Sequence, residues 1–148
     1  MRTVPFLAAA ALFASAPALA AQATKEVLKF PGASTNPVLS SVVKVGDMLY
    51  LSGQLGRVPG AGLAEGGIGP ETRQSLENIK RTLEATGSAM HRVVKCTVFL
   101  ADIADYGAMN EVYRTFWPDD PPARSTVAVA ALVLGARVEI ECMALAGT

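Results

Sequence analysis

The sequence is poor in the groups that most catalytic and binding chemistries need. It holds one histidine, His91, and two cysteines far apart in the chain, Cys96 and Cys142. Neither a histidine-rich metal site nor the paired thiolate spacing of a zinc site can be built from that inventory. It also lacks an excess of charge of either sign: 13 Lys and Arg stand against 13 Asp and Glu, a formal net charge of zero at pH 7. Recognition of nucleic acid through a basic face is disfavoured, because neutralising phosphates takes clustered Lys and Arg. A disordered chain is excluded too, since 51% of residues are apolar and 18% charged. The glycines between Gly53 and Gly69 are not followed by the Lys and Ser/Thr of a phosphate loop. Beyond the first twenty residues no segment is long and apolar enough to span a membrane.

Those first twenty residues read MRTVPFLAAAALFASAPALA. One arginine, an Ala/Leu/Phe run and Ala18-Leu-Ala20 at the exit have the form of a secretory signal peptide. Two prolines and the dominance of alanine make it a weak membrane anchor. Cleavage after Ala20 is expected, leaving residues 21–148 as a periplasmic or secreted protein with no membrane attachment. Disulfides are permitted there. Both cysteines sit in apolar, strand-like runs that suit small buried hydrophobes. Pairing would require them to face each other in the sheet, and spacing does not decide that.

Residues 21–37 read as an irregular leader, with Pro31, Gly32 and Pro37. Ser41–Val45 and Met48–Ser52 flank Gly46-Asp47 as a β-hairpin. A glycine-rich loop over 53–69 follows, then a helix opened by Pro70-Glu71, carrying Leu76, Ile79 and Leu83 on one face and stopped by Gly87. Val93–Leu100 is a β-branched strand. Asp102 or Asp105 caps a second helix whose Met109, Val112, Tyr113 and Phe116 form a core stripe. Ser125–Val133 and Val138–Leu145 complete a β-β-α-β-α-β-β order. That order predicts an α+β fold: one domain (21–148) with a mixed sheet and both helices on one face. Strands apolar on both faces, with two helices to shield one of them, imply an oligomer that buries the other.

Few ionisable groups interrupt these strands. Arg124 follows Pro121-Pro122-Ala123 and opens the next-to-last strand, and Glu139 and Glu141 share one face of the last by period-2 alternation. They could form a structural Arg–Glu pair, lie on a solvated edge, or make a site. In a site, the guanidinium fork matches a substrate carboxylate and a partly buried glutamate can take a proton from water. His91, in a turn, reads as a solvated surface residue.

Gly46-Asp-Met-Leu-Tyr-Leu-Ser-Gly-Gln54, Gln74-Ser-Leu-Glu-Asn-Ile-Lys80, Val94-Lys-Cys-Thr-Val-Phe-Leu100, Pro122-Ala-Arg-Ser-Thr-Val127 and Val138-Glu-Ile-Glu141 occur in order over residues 37–146. This set resembles the RidA (YjgF) family of reactive imine/enamine deaminases. The resemblance implies a chorismate-mutase-like fold, a homotrimer with clefts between subunits, and no metal or organic cofactor. It implies hydrolysis of 2-imino or 2-enamino acids, such as 2-aminoacrylate, to 2-keto acids and ammonia. Arg124 falls on the position that binds the substrate carboxylate, and Glu139 on the one that orients water. Ser52, Gly53, Asn110 and Thr126 fall on cleft positions. Thr126 stands where the family often has Cys, which excludes thiol modification there. Leu39 stands where the family commonly has an aromatic, so the cover over the substrate is aliphatic. A non-catalytic trimer that binds small carboxylates through Arg124 is the alternative. A ribonuclease is disfavoured by the neutral charge and the lack of a histidine pair.

Overall fold

The structure, a computed structural model, describes residues 23–147. The expected signal peptide lies outside the described residues. Among those described, seven strands make one sheet: β1 (Lys25–Val27), β2 (Val42–Val45), β3 (Met48–Leu51), β4 (Gln54–Leu55), β5 (Val93–Leu100), β6 (Ala123–Ala128) and β7 (Val138–Leu145). Two helices, α1 (Ile68–Ala85) and α2 (Tyr106–Tyr113), join them. The sheet order is β1-β2-β3-β7-β5-β6, with β4 beside β3 along the same edge of β7. All pairings are antiparallel except β5 with β6. This is the expected α+β arrangement with a mixed sheet.

The hairpin closes as its sequence dictates. Val45 pairs with Met48, and the two-residue turn places Gly46 at φ 57°, a left-handed conformation open to glycine at no steric cost. Helix α1 begins at Ile68, two residues earlier than its proline suggested. Pro70 therefore lies in the first turn, where no backbone N–H is needed. Its C-terminus closes through Ser88 N–H to Leu83 C=O at 2.8 Å and Gly87 N–H to Glu84 C=O at 3.1 Å, with Gly87 at φ 76°. That pattern satisfies carbonyls the helix leaves open.

Leu76, Ile79 and Leu83 are fully buried against Val98, Val138, Ile140 and Ala144 of the sheet, with Met109 and Tyr113 from α2. Residues 96, 98 and 100 of β5 and 138, 140, 142 and 144 of β7 face the helices. Within this layer Cys96 and Cys142 lie directly opposite each other and form a disulfide. The sequence favoured two separate buried thiols; only the register of β5 on β7 brings them together.

Three expectations change. The leader contributes β1, paired with β2 through Val27 and Val43, and the glycine-rich loop contributes β4. The strand expected over 125–133 runs instead from Ala123 to Ala128, because β5 ends at Leu100 and offers β6 no partner beyond that point. The chain then turns through Leu134 and Gly135, both at positive φ, and Ala136 returns to the core. Asp102 caps a short turn by accepting from Ala104 N–H at 2.9 Å, whereas Asp105 holds Arg137 through two hydrogen bonds of 3.0 and 2.7 Å.

Candidate active site

Cross-strand neighbours share a face, and this rule splits the expected site residues into two groups. Arg124 lies beside Cys96 on β6 and therefore faces the helices. Its guanidinium carbon sits 4.6 Å from the ring centroid of Tyr113 and 5.7 Å from that of Tyr106, both on α2. Nη2 donates to Tyr106 Oη at 3.3 Å, and Nη1 approaches Met109 Sδ at 4.0 Å. Among the described residues no carboxylate lies within 4 Å of it; the ion pairs found are Arg114–Glu111 and Arg137–Asp105. The structural Arg–Glu pair is thus not formed within the chain. Thr126 shares this face two residues on, and its hydroxyl is buried without a hydrogen-bond partner among the described residues. Asn110 is half-buried on α2. Its side-chain amide is the first cause, and Arg124 the next, of a lowered Tyr106 pKa, since both favour the phenolate. Burial pushes the Tyr113 phenol up to about 12 against the opposing pull of Arg124, so Tyr113 stays neutral.

The second group lies on the opposite, uncovered face. Glu139 pairs with Phe99 and Leu55, and Glu141 with Thr97. Gly53 breaks the edge between β3 and β4 where the Glu139 side chain crosses it. A Cβ built on Gly53 would overlap Glu139 Oε1. Burial, and next the Glu141 carboxylate, raise the Glu139 carboxyl above the ordinary glutamate range. Such a group is suited to gaining and losing a proton nearer neutral pH. Ser52 Oγ donates to Ser40 C=O at 2.6 Å, and Ser52 N–H to Ser41 C=O at 3.0 Å, tying the leader to the Ser-Gly-Gln turn. Leu39, 46% exposed, and Ser52 share a cleft of about 570 Å³ with Lys25, Lys29 and Val43. A separate groove of about 470 Å³ between Arg57 and α1 contains none of the expected residues.

Arg124 and Glu139 are not brought together within one chain. They are separated by β5, offset by three positions in register, and directed to opposite faces. Strand spacings put their Cα atoms about 14 Å apart. The aromatic neighbours Tyr113 and Tyr106 were missed, because Tyr113 reads as part of the core stripe of α2, Tyr106 falls outside that stripe, and no local signal ties either to a strand that begins at Ala123.

The family model described as Endoribonuclease L-PSP matches residues 31–146. The chain belongs to the RidA (YjgF) family. Among its curated relatives, the rat 2-iminobutanoate/2-iminopropanoate deaminase is 45% identical over 109 residues, 73% of this chain and 80% of the relative. The chloroplastic Reactive Intermediate Deaminase A of Arabidopsis thaliana is 41% identical over 136 residues, 89% of this chain and 72% of the relative. The crystal structure of RidA from the Antarctic bacterium Psychrobacter superposes with a TM-score of 0.74 at 38% identity, covering 81% of this chain and 98% of that one. The expected fold family is therefore the observed one.

Proposed function

We propose that this RidA-family protein is an enzyme that hydrolyses 2-imino and 2-enamino acids to 2-keto acids and ammonia. The observation that carries the proposal is the state of Arg124: a half-buried guanidinium packed between aromatic rings with no carboxylate within 4 Å among the described residues. Its charge is available to an anionic ligand. The name of the rat relative supports an imino acid as that ligand, and that of the Arabidopsis relative supports deamination.

Arg124 holds the substrate carboxylate through its planar N–H fork. Glu139 orients a water and takes one of its protons as the oxygen bonds to C2 of the imine. As the C=N double bond opens, that proton passes to nitrogen and gives a carbinolamine. The proton of the new hydroxyl then also passes to nitrogen, the C–N bond breaks, and ammonia leaves as the carbonyl forms. No electrons are exchanged with an outside partner. Gly53 leaves room for the carboxylate, Ser52 fixes the turn, and Leu39 covers the cleft with an aliphatic side chain. Because the two groups of residues occupy opposite faces, a complete site takes Arg124, Asn110 and Thr126 from one copy and Glu139, Ser52, Gly53 and Leu39 from the next. A homotrimer with sites between subunits fits this division, as do Tyr50, Val127, Met143 and Leu145, each at least 38% exposed. Export fits the disulfide, which persists in oxidising compartments, and gives a 21–148 domain outside the cytoplasm; N-terminal sequencing of the secreted protein should begin at Ala21.

Imines generated in situ by an amino-acid oxidase test the activity. The protein should accelerate keto-acid release. Keto-acid binding without acceleration would instead favour the non-catalytic carboxylate-binding trimer.

A further inference from the structure

We propose that Tyr113 and Tyr106 are positioning residues that set the orientation and free charge of Arg124, an inference that rests on the carboxylate-binding role given to that arginine. A guanidinium on a strand is commonly held by an acid, but an acid neutralises it and competes with an anionic ligand. Here the Tyr113 ring lies 4.6 Å from the guanidinium carbon, and the Tyr106 phenol accepts from Nη2 at 3.3 Å. An aromatic face attracts the cation through its quadrupole without occupying the N–H groups at the guanidinium edge. Nη2 gives one N–H to Tyr106 and Nη1 approaches Met109 Sδ at 4.0 Å, and the remaining N–H groups of the five stay available for a two-pronged grip on a carboxylate.

Tyr113 has the properties of a fixed support. It is 4% exposed, packs on Trp117 with ring centroids 4.9 Å apart, and remains neutral because burial raises its phenol to about 12. Its hydroxyl has no hydrogen-bond partner among the described residues. The ring therefore carries the role. Tyr106 differs: it is exposed, its ring is farther off at 5.7 Å, and it adds a hydrogen bond through its oxygen.

The test measures binding of a 2-keto acid by calorimetry alongside kcat and KM for an imine, in the intact assembled protein. Tyr113→Phe keeps the ring and should leave both affinities unchanged. Tyr113→Leu should weaken keto-acid binding and raise KM about tenfold, with kcat within about twofold, as loss of a partly desolvated cation–π contact implies. Tyr106→Phe, at an exposed position where folding is not at risk, should weaken binding about threefold. In an Arg124→Ala background, adding either tyrosine change should alter binding no further. Wild-type binding in Tyr106→Phe and in a folded Tyr113→Leu, beside weakened binding in Arg124→Ala, would overturn the positioning role alone. The positioning role also falls if the tyrosine changes weaken binding equally with and without Arg124. Wild-type binding in Arg124→Ala would remove the carboxylate grip and this inference with it.

Discussion

Reducing the Cys96–Cys142 bond should cost more stability than any single side-chain contact in this fold. The two cysteines are 46 positions apart, and the segment between them includes all of α2 and β6. Opening a loop of that length releases unfolded-chain entropy worth about 4 kcal/mol at 25 °C in the chain-entropy model. Against the unfolding entropy expected for a domain of this size, that is a fall in Tm of roughly 15 °C. Both thiols would remain in the core, at 0% and 2% exposure, so reduction creates no cavity and isolates the cross-link. The assay compares guanidinium unfolding of oxidised and reduced protein at one fixed protein concentration, since assembly also contributes to apparent stability. Thiol titration in denaturant should find no free thiols before reduction and two per chain after it. Superposable unfolding curves, or two free thiols in unreduced protein, would refute the reasoning. The corollary is that protein made in a reducing cytoplasm should be the less stable form.

Further expectations concern the site. Arg124→Ala should lower kcat/KM for 2-imino acids by roughly ten- to a hundredfold, the worth of a charge-assisted hydrogen-bonded contact, and Arg124→Lys should recover little because the fork is lost; steady-state kinetics decide it. Glu139 acting as base loses function as pH falls through its raised pKa, so Glu141→Gln, by removing the second cause of that rise, should move the acid limb of kcat/KM to lower pH; an unmoved limb argues against Glu139 as the base. The folded state favours protonated Glu139, so its ionised form costs stability at neutral pH and not below the unfolded carboxyl range. Glu139→Gln should accordingly melt higher than wild type at pH 7, with the gap closing in acid, while turnover falls. Gly53→Ala should retain the fold yet displace the Glu139 carboxylate, whose flexible end is what the new methyl meets, and a crystal structure with the carboxylate unmoved would contradict this.

What the sequence made legible was local. Leu76, Ile79 and Leu83 marked the buried stripe of α1, Gly46-Asp47 the hairpin turn, and alternation placed Glu139 and Glu141 on one face, as the structure has them. What stayed hidden was set by distant partners. The strand Lys25–Val27 exists because β2 offers a free edge, and Gln54–Leu55 because β7 extends past β3. Whether Cys96 met Cys142 depended on register between strands some forty residues apart. The likeness to the deaminases supplied Arg124 and Glu139 as a pair, but only the sheet shows that one chain holds them apart.

That separation has a genetic consequence. If each site in a ring of three draws its arginine from one copy and its glutamate from the next, a chain damaged at Arg124 and a chain damaged at Glu139 fail for different halves. Mixed rings then contain one interface where the intact halves meet. With equal amounts of both chains, about a quarter of all sites would be whole. Two alleles, each inactive alone, would complement when expressed in the same cell, whereas two alleles altered in the same half would not.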